Sequence, residues 1–372
     1  MTTGFFLKKL FRDPFKIPDF YNQGRILSLD GLRAFSILIV IFGHIGLTDK
    51  SFSRFQDIIN AIIGNGSSGV RFFFVISGFI ITTLLIKESS KTNNIDLRRF
   101  YIRRVLRIFP ALYFYIFTLL ILIFVFNWQI EFRFLVAAAL YVSNFSFLPN
   151  TFVTGHTWSL SVEEQYYLLW PWLLKKAKRT AIILAATCLL LAPGIRVFIH
   201  FYPAYTNFSL APFWINADAI FCGCLLAILI SKNLFPVQFF KNNRSIIALI
   251  GFLVFFGINS LLWINKNIVL AAFLISSQTL VIGALIVANS FYSRNILFRL
   301  LNSRLFTGIG KISYSLYIWQ QLFVIPPHVR YYSHASWNSF PLNLFCIFAA
   351  GSISYFLIEK PFLRLKKKYS VV

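Results

Sequence analysis

Arg33 and His44 lie eleven positions apart in one apolar run near the start of this 372-residue chain. Eleven residues make about three helical turns and about 16 Å of rise, so a helix would present both on one side. An imidazole is the usual general base near neutral pH. An ionisable group inside an apolar run is costly, which marks it as a functional candidate. Spacing alone leaves two readings open. The pair could line a path through a bundle, or Arg33 could reach the inner headgroups while His44 sits at the outer interface. Arg71 opens the next apolar run within Gly69–Phe79, either as an outer-interface arginine or as a fixed positive charge. Ser77 and Gly78 beside it suit close helix packing.

Two acids, Glu163 and Glu164, follow in His156-Thr-Trp-Ser-Leu-Ser-Val-Glu-Glu-Gln-Tyr-Tyr167. Adjacent side chains on a helix point about 100° apart, so at most one faces a shared site squarely. Such a carboxylate could orient and charge-stabilise an imidazole. Acids near a helix start also suit its dipole, with Ser159 or Ser161 as the cap. Asp218 is expected to form an interhelical ion pair with Arg196. Arg99, Arg103, Arg104 and Arg107 stripe one face of an amphipathic segment ending at Pro110. That face suits anionic lipid or a polyphosphate, which guanidinium forks recognise well.

The elements that must position these groups are membrane helices. Hydrophobic residues make up 58% of the chain and charged residues 13%, against about half and about a quarter in soluble domains. The formal charge of +24 would fit nucleic acid in a soluble protein. Here the lysines and arginines flank apolar runs, as membrane topology requires, and no nucleic-acid partner is expected. Runs of spanning length fall near 29–47, 70–86, 108–126, 132–148, 158–174, 180–200, 213–231, 245–263, 268–290, 311–327 and 342–358, judged against about 20 residues per span. Six basic clusters alternate with them: residues 8–25, 87–107, 175–179, 232–244, 294–311 and 360–368. All fall on the cytoplasmic side only if 132–148 dips in without crossing.

The expected fold is therefore an all-α integral membrane protein of about ten transmembrane helices plus a re-entrant or partly inserted segment, both termini cytoplasmic. Residues 1–28 form a basic lead, 29–361 the membrane domain and 362–372 a basic tail. The run from Leu29 has no small-residue cleavage site after it and is expected to stay as a span. In this scheme His44, His156, His200, His328 and His334 all lie in the outer half or outer loops. Cys188, Cys222, Cys224 and Cys346 sit in apolar runs without metal-ligand spacing, so no metal is expected.

Taken together, the motifs resemble the membrane-bound acyltransferase 3 family, bacterial enzymes similar to O-antigen and peptidoglycan O-acetyltransferases. The resemblance spans roughly residues 25–365. Asp30-Gly-Leu-Arg-Ala34 with His44 gives the arginine, ten residues, histidine signature. Gly69–Phe79 with Arg71, Phe100–Pro110, His156–Glu163, Asp218 with Gly223, Ser313-Tyr-Ser-Leu-Tyr-Ile-Trp319 and Glu359-Lys-Pro361 follow in the family's order. Glu163, not Glu164, falls on the family's glutamate. One position departs: Gln320 stands where the family usually has histidine. Some relatives carry an extracytoplasmic hydrolase-like domain that is not expected here.

The resemblance implies an acyl-CoA donor, most often acetyl-CoA, and a carbohydrate acceptor at a bacterial inner membrane. In that light Arg99, Arg103, Arg104 and Arg107 would hold nucleotide phosphates, and the donor would pass Arg33 towards His44. His44 would be general base or transient acyl carrier, Glu163 would orient it, and Arg71 would stabilise the oxyanion. Trp158 and Tyr166, with Tyr331, Tyr332 and Trp337, offer aromatic surface to sugar rings or anchor the interface. Ten spans with buried charges also suit a proton-coupled transporter, although no repeat halves are visible. A flippase for lipid-linked sugars would need no acyl donor.

Overall fold

The computed structural model describes residues 3–11, 15, 26–45, 57–58, 61–64, 66–145, 151–203, 211–326, 329 and 336–370. His328, His334, Tyr331 and Tyr332 lie outside them. The described residues form helices and turns, with no strand among them. In chain order the α-helices are α1 (Thr3–Phe11), α2 (Leu29–Ile45), α3 (Gly66–Thr92), α4 (Leu97–Phe126), α5 (Phe132–Ala139), α6 (Phe152–Gly155), α7 (Thr157–Lys176), α8 (Lys178–Phe201) and α9 (Ala211–Trp214). Then come α10 (Ala217–Ser231), α11 (Val237–Asn242), α12 (Arg244–Ile264), α13 (Ile268–Asn289), α14 (Ile296–Leu301), α15 (Arg304–Trp319), α16 (Leu342–Ser354) and α17 (Lys360–Lys366).

Among the described residues, six helices are long and apolar enough to cross a membrane: α3, α4, α8, α12, α13 and the continuous stretch Leu342–Tyr369. Helix α10 is apolar but shorter. Helix α5 has eight residues, which rise only about 12 Å against a hydrocarbon core of about 30 Å. The chain leaves it through Tyr141, whose φ of 55° is left-handed.

Helix α3 is the centre of the bundle. Its apolar window is 78% buried, whereas those of α4, α8, α12 and α13 are each 33% buried. Helices α2, α7 and α10 pack on α3, and α15 packs on α2. Small residues permit these approaches. A Cβ on Gly78 would collide with the Ile220 carbonyl of α10, and one on Gly223 with the Val75 carbonyl of α3. In lipid, where apolar surface gains nothing by leaving water, such backbone proximity is a main source of helix affinity.

Local chemistry explains the helix ends near the site. The Asp96 carboxylate accepts the Arg99 amide at 3.0 Å and starts α4. That helix runs unbroken through Pro110 to Asn127, a left-handed cap with φ 50°. The arginine stripe expected in a connection is thus the opening of a long helix. Ser303 caps α15 through the Phe306 amide, and a 3-10 turn, Gln320–Phe323, ends it. A π-helical turn, Tyr355–Glu359, joins α16 to α17; such turns occur often at functional sites. It turns Glu359 inward, where it is buried and accepts the Ser315 hydroxyl at 2.9 Å.

Candidate active site

A cavity of about 80 Å³ opens between α2, α3, α4, α7 and α15. Its charged lining is Arg33, Arg104, Arg107, Glu163 and Glu164, and Ser77, Tyr167, Tyr314 and Tyr317 supply hydroxyls. The two acids do different work. Glu163 accepts the Ser77 hydroxyl at 2.7 Å and the Tyr167 hydroxyl at 3.4 Å, within electrostatic reach of Arg33 and Arg104. Glu164 points towards a second, mostly apolar cavity that it shares with Tyr141, Gln165 and Tyr166.

One end of the cavity is cationic. The Arg104 guanidinium stacks over Phe100 and Tyr167, 5.5 and 5.2 Å from their ring centroids. Its buried Nε has no hydrogen-bond partner among the described residues. Arg107 and Arg33 face each other and share Glu359 as a nearby counter-charge. Lys366 of α17 stands within electrostatic range of Arg33, Arg103, Arg104 and Arg107. Sequence reading placed Lys366 in a tail beyond the membrane domain; only the packing of α17 on α4 brings it here. Arg33 also pairs with Asp30 at 3.8 Å, and the cluster of guanidinium groups with Lys366 is of the kind that attracts an anion.

The other arginines of the stripe have partners. Arg103 donates to Glu88 at 2.9 Å and to the Tyr369 carbonyl at 2.8 Å. Arg99 lies on the surface with Asp96 at 3.3 Å. Of the four, Arg104 and Arg107 line the cavity and Arg99 and Arg103 do not.

His44 is the last-turn residue of α2, beyond the opposite end of the cavity from the arginines, and it is not among the lining residues. Its Nδ1 lies 2.7 Å from the Val40 carbonyl. A carbonyl only accepts, so Nδ1 carries the proton and the basic lone pair is on Nε2. Gly66 at the start of α3 leaves room for the ring, since a Cβ there would lie 2.8 Å from His44 Cε1. The imidazole of His156 is within electrostatic range of His44. Among the described residues no hydrogen bond joins Glu163 to His44; those of Glu163 go to Ser77 and Tyr167.

Arg71 is buried away from the cavity. It faces Asp218 at 3.4 Å and donates to the Thr279 hydroxyl at 3.3 Å. Asp218 also receives Arg196 at 2.6 Å, the ion pair that sequence reading expected. Arg196 donates further to the Ile215 carbonyl and the Ser276 hydroxyl. This network ties α3, α8, α10 and α13 together. Trp158 is half-buried, edge-on to Phe74 at 6.1 Å. Tyr166 is buried among Trp170, Phe221 and Cys224, with its hydroxyl 3.2 Å from the Cys224 sulfur. Among the described residues, no group of three His, Cys, Asp or Glu side chains could hold a metal ion.

A helical membrane bundle with a buried cavity, cationic at one end and near histidines at the other, defines the class. The chain belongs to the acyltransferase domain family, which matches residues 26–359. It is similar to the O-acetyltransferase OatA of Staphylococcus aureus strain NCTC 8325, at 29% identity over 376 residues, covering 93% of this chain and 58% of OatA. OatA of strain COL matches equally. A further relative from strain COL with O-acetyltransferase in its name is 30% identical over 383 residues, covering 92% of this chain and 58% of its own. The chain thus spans little more than half the length of these relatives. No solved structure matches it.

Proposed function

We propose that the protein is a membrane O-acyltransferase that moves an acyl group, acetyl by preference, from cytoplasmic acyl-CoA to a hydroxyl of an envelope or exported carbohydrate. The observation that carries this reading is the polarity of the cavity. Arg33, Arg104, Arg107 and Lys366 concentrate positive charge at one end, and His44 stands beyond the other. Arg33 and His44 are separated along α2 by about 16 Å. A donor that is polyanionic at one end and carries a thioester on a long neutral arm suits such a site.

In this reading Arg104 and Arg107 hold donor phosphates, with Lys366 beside them, while Arg33 faces the entry of the arm. Glu163 acts as a positioning residue. Held by Ser77 and Tyr167, it keeps a fixed negative charge next to Arg33 and Arg104. His44 Nε2 takes the proton of the acceptor hydroxyl. The hydroxyl oxygen forms the ester bond to the acyl carbon as the carbon–sulfur bond breaks, and the departing thiolate is protonated. His44 acting as a transient acyl carrier would use the same nitrogen. Arg71, engaged by Asp218, is assigned to positioning α3 rather than to the oxyanion. Arg99 and Arg103 are assigned to the helix start and to its packing, and Trp158 and Tyr166 to the outer packing of α7.

The test is transfer of label from acetyl-CoA in inside-out membrane vesicles containing the wild type or His44→Ala, with envelope glycans present. Label reaching glycan with the wild type and not with His44→Ala supports the reading. Folded wild type that neither binds acetyl-CoA nor passes on label would turn the interpretation to a transporter or flippase.

A further inference from the structure

Beyond the arginines and the cavity, the outer end of the bundle holds buried polar groups that the reaction as described does not use. His156 is 4% exposed, and neither ring nitrogen makes a hydrogen bond among the described residues. The Gln321 side chain and the Ile318 carbonyl lie near the ring without hydrogen-bonding geometry. Gln320 is fully buried, and both its amide oxygen and its amide nitrogen lack a partner among the described residues. The indole nitrogen of Trp319 is in the same condition. Folded proteins rarely leave such groups unsatisfied, and each one in a native structure needs an explanation.

His156 and Trp319 share one place, and Gln320 follows Trp319 in the chain. The rings of His156 and Trp319 both pack on Tyr115, with centroids 5.7 and 5.5 Å away. The His156 amide donates to the Gln321 side chain at 2.8 Å, which fastens the start of α7 to the turn that ends α15. Gln320 lies three positions after Tyr317, which lies four after Ser313, and both of those line the cavity. Residues at that spacing share a helix face, so Gln320 is the next position outward on the cavity stripe. Helices α2 and α15 touch at Asp30 and Gly310. Gln320 is ten residues past Gly310 and Val40 ten past Asp30, which puts Gln320 at about the height of Val40, one helical turn short of His44. Tyr317 and Ser159 stand between this pocket of groups and the cavity. Both line the cavity, and both hydroxyls donate to the His156 carbonyl, at 3.1 Å each.

We propose that His156 and Gln320 form the subsite that receives the hydroxyl groups of an uncharged carbohydrate acceptor beside His44. The inference rests on the acyltransferase reading. An amide and a neutral imidazole each offer a donor and an acceptor, which matches a hydroxyl that both donates and accepts. No arginine or lysine joins the group among the described residues, since Arg71 is committed to Asp218. The subsite therefore selects polyol over phosphate. Tyr317 separates acceptor from donor until both are bound.

The test is a kinetic comparison of the wild type, Gln320→Leu, Gln320→His and His156→Leu in vesicles. Labelled acetyl-CoA and soluble cell-wall glycan strands are each varied, and folding is checked by thermal melting in detergent. Loss of an acceptor hydrogen bond raises the KM for glycan by about tenfold in Gln320→Leu and His156→Leu. The KM for acetyl-CoA stays within about twofold, and Gln320→His, which can still donate and accept, keeps near-wild-type values. An unchanged glycan KM in well-folded Gln320→Leu and His156→Leu overturns the subsite, and so does a rise confined to the acetyl-CoA KM. Wild type that binds no acetyl-CoA overturns the underlying acyltransferase reading instead, a result the variants do not enter.

Discussion

Removing the imidazole at position 44 takes away a general base, which is worth about a hundredfold to ten-thousandfold in rate. His44→Ala is expected to lose transfer on that scale while retaining acetyl-CoA binding, because its ring lies beyond the cavity from the arginines. Equilibrium binding of labelled donor to the variant checks the second half; loss of both together would place His44 in donor binding. Arg104→Ala and Arg107→Ala should show the converse. Charge-assisted hydrogen bonds contribute about 1.5–3 kcal/mol each, so donor KM rises roughly tenfold to a hundredfold, and less at high salt. Arg99→Ala removes a guanidinium that sits on the surface with Asp96 and should leave donor KM unchanged. At this scale the sequence supplied the candidate residues. It could not divide the arginine stripe, because which of four neighbours faces a cavity depends on the rotation of α4 against α3 and α7.

Between helices, the Arg71–Asp218–Arg196 network is the main polar fastening of α3, α8, α10 and α13. Asp218 is fully buried and balances two buried guanidinium groups. Asp218→Ala strands both, at an expected cost of about 3–5 kcal/mol. A large drop in melting temperature in detergent would show it, with a retained KM for acetyl-CoA in whatever fraction folds; an unchanged melting temperature would mean the network contributes little. Gly78→Leu should be worse tolerated still, since its side chain meets the α10 backbone at Ile220, which cannot move as a side chain can. The Asp218–Arg196 pair was legible because acids and bases inside spans must find each other. The capture of Arg71 by the same aspartate was not, because the sequence does not say that α3 lies between α10 and the cavity.

For the whole molecule, the distribution of lysine and arginine makes a claim about orientation. If the basic clusters all face the cytoplasm, residue 91 in the last turn of α3 is inside and residue 266 between α12 and α13 is outside. Both positions are exposed, and the four native cysteines lie in apolar helices, three of them buried. A membrane-impermeant thiol reagent should label Lys266→Cys on intact cells and Lys91→Cys only after permeabilisation. The opposite pattern would invert the bundle and move the arginine-lined end of the cavity away from cytoplasmic acyl-CoA.

Hydropathy, charge and motif spacing by themselves determined that the chain is a helical membrane protein, where most of its helices lie and which ionisable residues fall inside apolar runs. Those follow from local physics: an apolar solvent forces helices, and a charge in a span has to be explained wherever it sits. Only the tertiary structure decided that Arg33, Arg104 and Arg107 line one cavity with Lys366 in electrostatic range, that Glu163 belongs to Ser77 and Tyr167, and that His156 comes within electrostatic range of His44. These contacts join residues up to hundreds of positions apart, and they depend on helix rotation and crossing. In lipid those are set by small-residue contacts such as Gly78 on Ile220, a few ångströms of fit that periodicity along one chain cannot encode.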